Sequence, residues 1–334
     1  MEASSGLIIY EKNSRVRLPM ASTTKIMTAL VALERADVQS TVRVDPRAVG
    51  VEGSSVYLRA NESVRLYDLL YALMLASAND AAEAIAYAVA GSVEDFSAMM
   101  NEKAAELRLD DTHFENPHGL PSKDHYTTAY DFARLGAYAL KNEDFKKICS
   151  TLKYTMPATD MEGARVIANH NKMLRIYGGA IGVKTGFTKK SGRCLVSAAE
   201  REGMTLIAVT LGAPDDWNDH KTMLDYGFSA YESVKLASKG EIAAKISLAG
   251  GTAEDIDALF EEDVSVILPR FHGKITSEIR AKHFELAPIK AGQKLGEVLF
   301  FEGEKLLARA DIYASQDVAA KKFKKQRKFL NFSI

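Results

Sequence analysis

Apolar residues recur at helical spacing through the first half of the chain. Residues 22–36 carry apolar positions three and four apart, which predicts an amphipathic helix with Ser22 in its first turn. Residues 66–76 are almost continuously apolar and predict a largely buried helix. Asn79 opens a further helix that stops at Gly91, so the residues just before Asn79 form a break between two helices. Two more helices are predicted, over residues 93–107 and 128–140.

Beyond residue 180 the pattern becomes that of β-strands. Residues 180–187, 193–199 and 204–211 predict three strands of an antiparallel meander, with a tight turn before the last of them. Farther along, short alternating segments such as residues 265–268 and 295–301 continue to about residue 318. These segments predict a separate, smaller β domain.

The change of pattern divides the chain into domains. A chain of 334 residues is long enough for about two domains of ~150 residues each. A helix predicted over residues 217–232 precedes the second region of strands. We therefore expect a first domain over residues 1–235, a small β-rich domain over residues 236–318, and a basic tail over residues 319–334.

Composition and charge exclude several classes of function. The chain is 47% hydrophobic and 26% charged, as in ordinary globular proteins. Its net charge of -1 and isoelectric point near 6.7 give no overall attraction to nucleic acid, so no nucleic-acid partner is expected. No apolar run approaches the length of about twenty residues that spans a bilayer. Cys149 and Cys194 have no metal-ligand spacing and indicate two free structural thiols.

A hydroxyl and an amine lie three residues apart in Ser22-Thr23-Thr24-Lys25. On a helix this spacing makes them neighbours, as a nucleophile and its base require. The Ser-x-x-Lys pattern alone is weak, because it is expected on the order of once by chance in a chain of this length. It does recur at Ser150 and Lys153.

Two further motifs distinguish the first Ser-x-x-Lys from the second. Ser77-Ala78-Asn79 falls in the predicted helix break, where both polar side chains can point into one cleft. Lys184-Thr185-Gly186 falls on the first strand of the meander. Taken singly, these motifs suit a helix cap and a polar edge strand with a bulge glycine. Ser22 precedes both motifs, whereas Ser150 precedes only the second.

The three motifs together resemble those of class A β-lactamases and penicillin-binding proteins. The surrounding residues are closest to the low-molecular-weight penicillin-binding D,D-carboxypeptidases, and the likeness extends through nearly the whole chain. It is carried by PMASTTKIMT (19–28), NPHGL (116–120), GVKTGFT (182–188), GRCLVSAA (192–199) and, less distinctively, APIKAG (287–292). The resemblance implies an α/β (α+β) penicillin-binding/β-lactamase-like domain, with an antiparallel sheet flanked by helices, and a small all-β C-terminal domain.

The resemblance implies a serine-type D-Ala-D-Ala carboxypeptidase that removes the terminal D-alanine from peptidoglycan stem pentapeptides. Ser22 resembles the nucleophile that attacks the carbonyl between the two D-alanines, and Lys25 resembles its base. Lys25 must then be neutral, and both burial and the like charge of Lys184 lower the pKa of a lysine. Ser77 would relay a proton to the departing D-alanine, and Asn79 would hold the substrate's amide.

The remaining site residues implied by the resemblance lie on the first strand of the meander. Lys184 and Thr185 would meet the terminal carboxylate of the substrate. Gly186 would let the peptide backbone approach and add as an extra strand. The backbone N–H groups of Ser22 and Phe187 would form the oxyanion hole. The expected partners are a stem peptide ending in D-Ala-D-Ala and β-lactam antibiotics as acylating inhibitors; no cofactor and no metal is expected.

Two histidines lie in segments that border the cleft in this family. His118 and His170 either touch the substrate or make hydrogen bonds that structure their loops. Neither is interpreted as a triad histidine, because Lys25 fills the role of base.

Two other functions share parts of this motif set. A β-lactamase needs a fast deacylating base, typically in a Glu-x-x-Leu-Asn loop, which the sequence lacks. The extra β domain and the basic tail also argue against that function. A non-catalytic penicillin-sensing or wall-binding module would have lost a catalytic group, and here all of them are present.

Both ends of the chain bear on location. Residues 5–10 and 15–18 predict a hairpin that lacks an upstream lead, so we hypothesise that an export signal has been removed and that the protein acts on the outer face of the cytoplasmic membrane. Residues 321–334 are basic, with apolar residues close behind, and suit an anionic lipid surface. A solvated basic terminus is the alternative for this tail, and a nucleic-acid arm is disfavoured. The resemblance favours a peripheral membrane anchor.

Overall fold

The computed structural model describes residues 1–322 and divides into two compact units, Met1–Ala230 and a second that begins at Tyr231. The helices are α1 (Lys25–Arg35), α2 (Leu66–Leu75), α3 (Asn79–Ala90), α4 (Val93–Glu106), α5 (Ala129–Ala139), α6 (Glu143–Ser150), α7 (Met173–Ile176) and α8 (Asp216–Ala230). The strands of the first unit are β1 (Thr41–Arg43), β2 (Ser63–Arg65), β3 (Lys153–Met156), β4 (Arg165–Ala168), β5 (Ala180–Thr188), β6 (Gly192–Arg201) and β7 (Met204–Thr210). No helix in these 322 residues is both long and apolar enough to cross a bilayer.

Helix α1 is the central helix of the first unit. It packs against α2, α3, α4, α5 and β5, and every residue from Lys25 to Ala32 is buried. The predicted helix is confirmed over most of its length, but its first turn is a 3₁₀ turn over Ala21–Thr24. Thr23 and Thr24 donate their hydroxyls to the carbonyls of the residues three before them, at 2.5 and 2.8 Å. These local bonds tighten the turn that carries Ser22.

The predicted break between two helices is confirmed. Helix α2 is buried along its whole length. Ser77 then takes a positive φ of 59° and Ala78 is extended, so the chain reverses before α3 begins at Asn79. Gly91 ends α3 with a φ of 81°, a left-handed conformation that glycine adopts without steric cost.

The meander is also confirmed, in the order β5-β6-β7 with antiparallel pairing throughout. Helices α5 and α8 pack against its β6 and β7 strands. Strand β5 forms the edge of this three-stranded sheet and contacts the 3₁₀ turn at Ala21–Thr24. This contact brings the Lys184 motif to the start of α1.

The predicted N-terminal hairpin is wrong. The described structure has no strand pair within residues 5–18; Leu18 instead exchanges backbone hydrogen bonds with Thr127, at 2.8 and 3.0 Å. Glu2 forms an isolated bridge with Leu206 at β7. Leu18 and Glu2 therefore pair with distant segments, which local periodicity does not reveal.

The second unit is built from strands. They are β8 (Tyr231–Ala237), β9 (Ile242–Ala249), β10 (Asp255–Phe260), β11 (Val264–Pro269), β12 (Ile275–Ala281), β13 (Phe284–Leu286), β14 (Lys294–Glu302) and β15 (Lys305–Ala314). Six of them form one sheet in the order β12-β14-β15-β10-β9-β13, and β8 pairs with β11. Its core includes Ile256, Val298 and Ile312. The strands predicted at residues 265–268 and 295–301 are confirmed as β11 and β14.

Candidate active site

Ser22 and Lys25 meet where the 3₁₀ turn passes into α1. Lys25 Nζ lies 3.0 Å from Ser22 Oγ, 2.7 Å from Asn79 Oδ1 and 2.7 Å from the carbonyl oxygen of His118. Lys25 is fully buried, whereas Ser22 is half-buried. The amine therefore sits in a polar cage beneath a hydroxyl that remains reachable from outside.

The charges around Lys25 oppose one another. Burial, and after it the positive charge of Lys184, hold the pKa of Lys25 well below its usual value, while the Asp80 carboxylate acts in the opposite direction. Burial also lowers the pKa of Lys184 to about 7. The two causes expected from the sequence, burial and a second lysine, thus both act on Lys25.

Asn79 occupies the first turn of α3 and faces Lys25. Its Oδ1 accepts from Lys25, and its Nδ2 donates to the carbonyl of Glu52 at 2.5 Å. The Asn79 backbone N–H donates to the carbonyl of Ser54 at 2.7 Å. Ser77 is buried in the helix break two residues earlier. The Ser77-x-Asn79 motif therefore lies at the break, with Asn79 in direct contact with Lys25.

Strand β5 places the third motif beside Ser22. Lys184 is buried, and its Nζ donates to the Thr185 carbonyl at 3.0 Å. A Cβ atom at Gly186 would lie 2.9 Å from the Ser22 backbone nitrogen, so strand and turn are in close contact. The following residue, Phe187, has a side chain that is 66% exposed. Thr185, between Lys184 and Gly186, is partly exposed.

The loop over residues 116–120 contributes the His118 carbonyl to the surroundings of Lys25. Thr28 donates its hydroxyl to the Pro117 carbonyl at 2.6 Å, which holds this loop on α1. Gly119 has a φ of 91°, and a Cβ there would lie 1.9 Å from the Ala21 carbonyl oxygen. Sequence reasoning singled out His118 for its imidazole and missed the contribution of its backbone carbonyl. Because a close approach of two backbones requires a glycine, Gly119 was the residue in the sequence that indicated this contact.

The imidazoles of both candidate histidines have positions that the structure defines. His118 Nδ1 accepts from the Leu120 backbone N–H at 3.1 Å, and Nε2 lies 3.4 Å from Glu83 Oε1. Both ring nitrogens therefore serve the loop and its contact with α3. His170 is exposed at the surface, yet local desolvation together with the charge of Lys184 lowers its pKa. His170 is thus close enough to Lys184 to respond to it.

The second Ser-x-x-Lys motif forms no comparable site. Ser150 ends α6 and donates its hydroxyl to the Lys147 carbonyl at 3.2 Å, while Lys153 begins β3 and is exposed. The helix ends between them, so the two side chains do not share a helix face. Both cysteines are buried and free.

The comparisons with known proteins cover both units. Residues 1–215 match the protein-family model for D-alanyl-D-alanine carboxypeptidase, and residues 231–320 match that for the C-terminal domain of penicillin-binding protein 5. The chain is 35% identical over 329 residues to the D-alanyl-D-alanine carboxypeptidase DacF of Bacillus subtilis, covering 95% of this chain and 84% of that protein. It is 30% identical to DacA of Haemophilus influenzae, with coverage of 95% and 84%.

Solved structures agree with these relatives. Penicillin-binding protein 5 from Haemophilus influenzae is 27% identical, with a TM-score of 0.74 and coverage of 96% of both chains. The peptidoglycan synthesis regulatory factor PBP3 from Streptococcus pneumoniae is 26% identical, with a TM-score of 0.79 and coverage of 95% of this chain and 97% of that one. The expected penicillin-binding fold with an all-β C-terminal domain is confirmed. The chain therefore belongs to the D-alanyl-D-alanine carboxypeptidase family, the serine-type, low-molecular-weight penicillin-binding proteins.

Proposed function

We propose that this chain removes the terminal D-alanine from peptidoglycan stem pentapeptides through an acyl-enzyme at Ser22, with Lys25 as the base. One observation carries the assignment of these residues: the buried amine of Lys25 contacts the Ser22 hydroxyl and two carbonyl oxygens at 2.7–3.0 Å. The same arrangement would accept a β-lactam, whose carbonyl acylates the same serine.

The three contacts of Lys25 suit a neutral amine. A neutral amine has two N–H donors and one lone pair. The Asn79 Oδ1 and the His118 carbonyl accept the two N–H groups, which leaves the lone pair for Ser22. The Ser22 O–H then donates to Lys25 Nζ and is polarised for attack. The depressed pKa of Lys25 supports this protonation state near neutral pH.

The proposed reaction has two stages, acylation of Ser22 and hydrolysis of the acyl-enzyme. Ser22 Oγ bonds to the carbonyl carbon of the penultimate D-alanine, and its proton passes to Lys25. The C–N bond to the terminal D-alanine then breaks, and Ser77 relays the proton to the departing amine. Water hydrolyses the resulting ester and frees Ser22.

Strand β5 supplies the binding contacts in this proposal. Lys184 and Thr185 meet the terminal carboxylate, and Gly186, which has no side chain, lets the peptide backbone approach the strand. The backbone N–H groups of Ser22 and Phe187 stabilise the oxyanion. Such donors act where charge develops in the transition state.

Acylation and release can be followed with a labelled β-lactam. We expect the wild type to be labelled and to release the label slowly, Ser22→Ala to remain unlabelled, and Ser150→Ala to behave as the wild type. Release of D-alanine from a peptide ending in D-Ala-D-Ala should disappear with Ser22→Ala as well. Labelling of Ser22→Ala would contradict the assignment, and rapid turnover of the label would favour a β-lactamase.

We further propose that the protein is exported and contacts the membrane through its basic tail, with residues 1–235 carrying the reaction and residues 236–318 forming a separate β domain. The exported setting is supported by the cell-wall substrate of the family. Residues 323–334 of the tail lie outside the described residues, so this part rests on sequence and resemblance. Cosedimentation with vesicles of anionic lipid should be strong for the full chain and weak for a chain ending at Asp317; equal binding would contradict the proposal.

A further inference from the structure

Asp80 directly follows Asn79 and is almost fully buried, with 1% of its surface exposed. Its carboxylate accepts three hydrogen bonds from one neighbouring segment. The donors are Ser55 Oγ at 2.6 Å, Val56 N at 3.3 Å and Leu58 N at 3.0 Å. We call residues 52–58 the rim loop. A buried carboxylate with several donors holds such a segment firmly, because each donor would otherwise lose a strong, charge-assisted bond.

The rim loop in turn touches Asn79. The Glu52 carbonyl accepts from Asn79 Nδ2, and the Ser54 carbonyl accepts from the Asn79 backbone. The fit is close, since a Cβ at Gly53 would lie 2.7 Å from Asn79 Nδ2. Asp80 and Asn79 thus bind opposite ends of the same loop.

These contacts determine how the Asn79 amide is turned. An amide side chain has a donor end and an acceptor end. Because Nδ2 faces the Glu52 carbonyl, Oδ1 faces Lys25 at 2.7 Å. If the loop shifted, the amide could rotate and present Nδ2 to the lysine, and Lys25 would lose an acceptor.

We propose that Asp80 is a positioning residue for acylation: it holds the rim loop against Asn79, so that Asn79 Oδ1 orients the Lys25 amine toward Ser22. This inference rests on the function proposed for Ser22 and Lys25. Asp80 touches neither of the reacting groups in this account and acts through the loop and Asn79.

Asp80 also contributes a charge to the site. The charged and titratable groups that face Lys25 are Asp80 on α3, Lys184 on β5, and His118 with its α3 partner Glu83. The Asp80 carboxylate raises the pKa of Lys25 against burial and against Lys184. Loss of that charge lowers the pKa of Lys25 further. The lysine then stays neutral to lower pH, and the acid limb of the acylation profile moves to lower pH.

Geometry and charge can therefore be separated with two variants. Asp80→Asn removes the charge and replaces one accepting oxygen by a donor, which opposes a donor of the rim loop. Ser55→Ala removes one anchor of the loop and leaves the Asp80 charge in place. Asp131→Asn is a matched control, because Asp131 is also buried and accepts from a backbone N–H and a hydroxyl, those of Asp111 and Thr112.

The measurement is the second-order rate constant for labelling of the full chain by a fluorescent penicillin, from pH 5 to 10, with the fold checked by circular dichroism. For Asp80→Asn we expect a loss of about 10- to 100-fold, the scale of a small misplacement of a catalytic group, and an acid limb at lower pH. Ser55→Ala should lose less of the labelling rate and keep the acid limb of the pH profile where it is in the wild type. Asp131→Asn should keep both the labelling rate and the acid limb of the wild type.

Each outcome bears on the proposal. Labelling of folded Asp80→Asn at the wild-type rate would overturn it, and so would an equal loss in Asp131→Asn. If Asp80→Asn does not fold, the result for Ser55→Ala is decisive. A lower labelling rate with the acid limb at its wild-type pH supports the proposal, and an unchanged labelling rate overturns it. Failure of the wild type to be labelled at Ser22 would instead contradict the proposed function itself.

Discussion

A methyl group at Gly186 tests the contact between β5 and the turn that carries the nucleophile. In Gly186→Ala the new Cβ would lie 2.9 Å from Ser22 N and 3.1 Å from Thr23 N. These neighbours are backbone atoms, which have no side-chain rotamer to change. Strand and turn must separate by about 0.5 Å to reach ordinary contact at 3.4 Å.

The expected loss follows from the oxyanion hole. Its two proposed donors, Ser22 N–H and Phe187 N–H, lie on the two segments that Gly186→Ala pushes apart. Removing one such donor entirely costs about 2.7–4 kcal/mol. A separation of ~0.5 Å stretches a hydrogen bond of about 2.9 Å to the limit of useful geometry. We therefore expect acylation to slow by about 10- to 100-fold, which corresponds to ~1.4–2.8 kcal/mol.

The assay is the rate constant for labelling by a fluorescent penicillin, together with urea unfolding of the same samples. Gly136→Ala is the matched control: its Cβ would meet Val196 at 3.5 Å, an ordinary contact, and it lies within α5. Alanine there should add about 0.5–1 kcal/mol of helix stability and leave acylation unchanged. Wild-type acylation by folded Gly186→Ala would refute the reasoning about the strand contact.

Three further predictions address charge and burial. Lys25→Met removes the proposed base, so the rate of acylation should fall by about 10²–10⁴-fold. Urea unfolding should show a stability at or above that of the wild type, because a buried amine with a lowered pKa opposes folding at any pH below its unfolded pKa. Burial lowers the pKa of Lys184 to about 7, so this lysine loses its charge as the pH rises through 7. Above pH 7 the KM for a peptide with a free C-terminal carboxylate should therefore rise, whereas the KM for the corresponding C-terminal amide should not. Arg165→Met leaves the buried carboxylate of Glu62 unpaired and should cost about 3–5 kcal/mol of unfolding free energy, whereas Arg17→Met at an exposed ion pair should cost no more than ~1 kcal/mol.

The spacing of apolar residues predicted those helices and strands that depend on neighbouring residues. The buried helix α2, the break before Asn79 and the meander from Ala180 each follow from the periodicity of neighbouring residues. Helix α6 was missed, although Asn142 caps it and accepts from the Phe145 N–H at 3.0 Å. An asparagine followed by an amphipathic turn is typical of the start of a helix, so Asn142 indicated α6 in the sequence.

The errors at the N-terminus have a different cause. Leu18 pairs with Thr127, and no local rule identifies a partner more than a hundred residues away. The 3₁₀ turn at Ala21–Thr24 was also not predicted, because its hydrogen bonds compete with an ordinary helix start that the same residues allow. Tertiary contacts select between such alternatives.

Motifs likewise located only part of the candidate site. They found Ser22, Lys25 and Asn79, but not Asp80 or the carbonyl of His118, which complete the surroundings of Lys25. A backbone carbonyl can belong to any residue type, so it leaves no trace in a sequence pattern. A lone aspartate at a helix start has the ordinary explanation of a capping residue.

The second Ser-x-x-Lys shows what the spacing requires in order to make a catalytic pair. Ser150 and Lys153 have the same separation as Ser22 and Lys25, yet α6 ends between them and Lys153 meets solvent. The two side chains therefore do not meet, and Lys153 has none of the buried surroundings of Lys25. Burial and Lys184 hold the pKa of Lys25 well below its usual value, and its Nζ contacts the Asn79 Oδ1 and the His118 carbonyl oxygen. We therefore infer that burial and the surrounding acceptors, rather than the interval of three residues, suit Ser22 and Lys25 to the proposed roles of nucleophile and base.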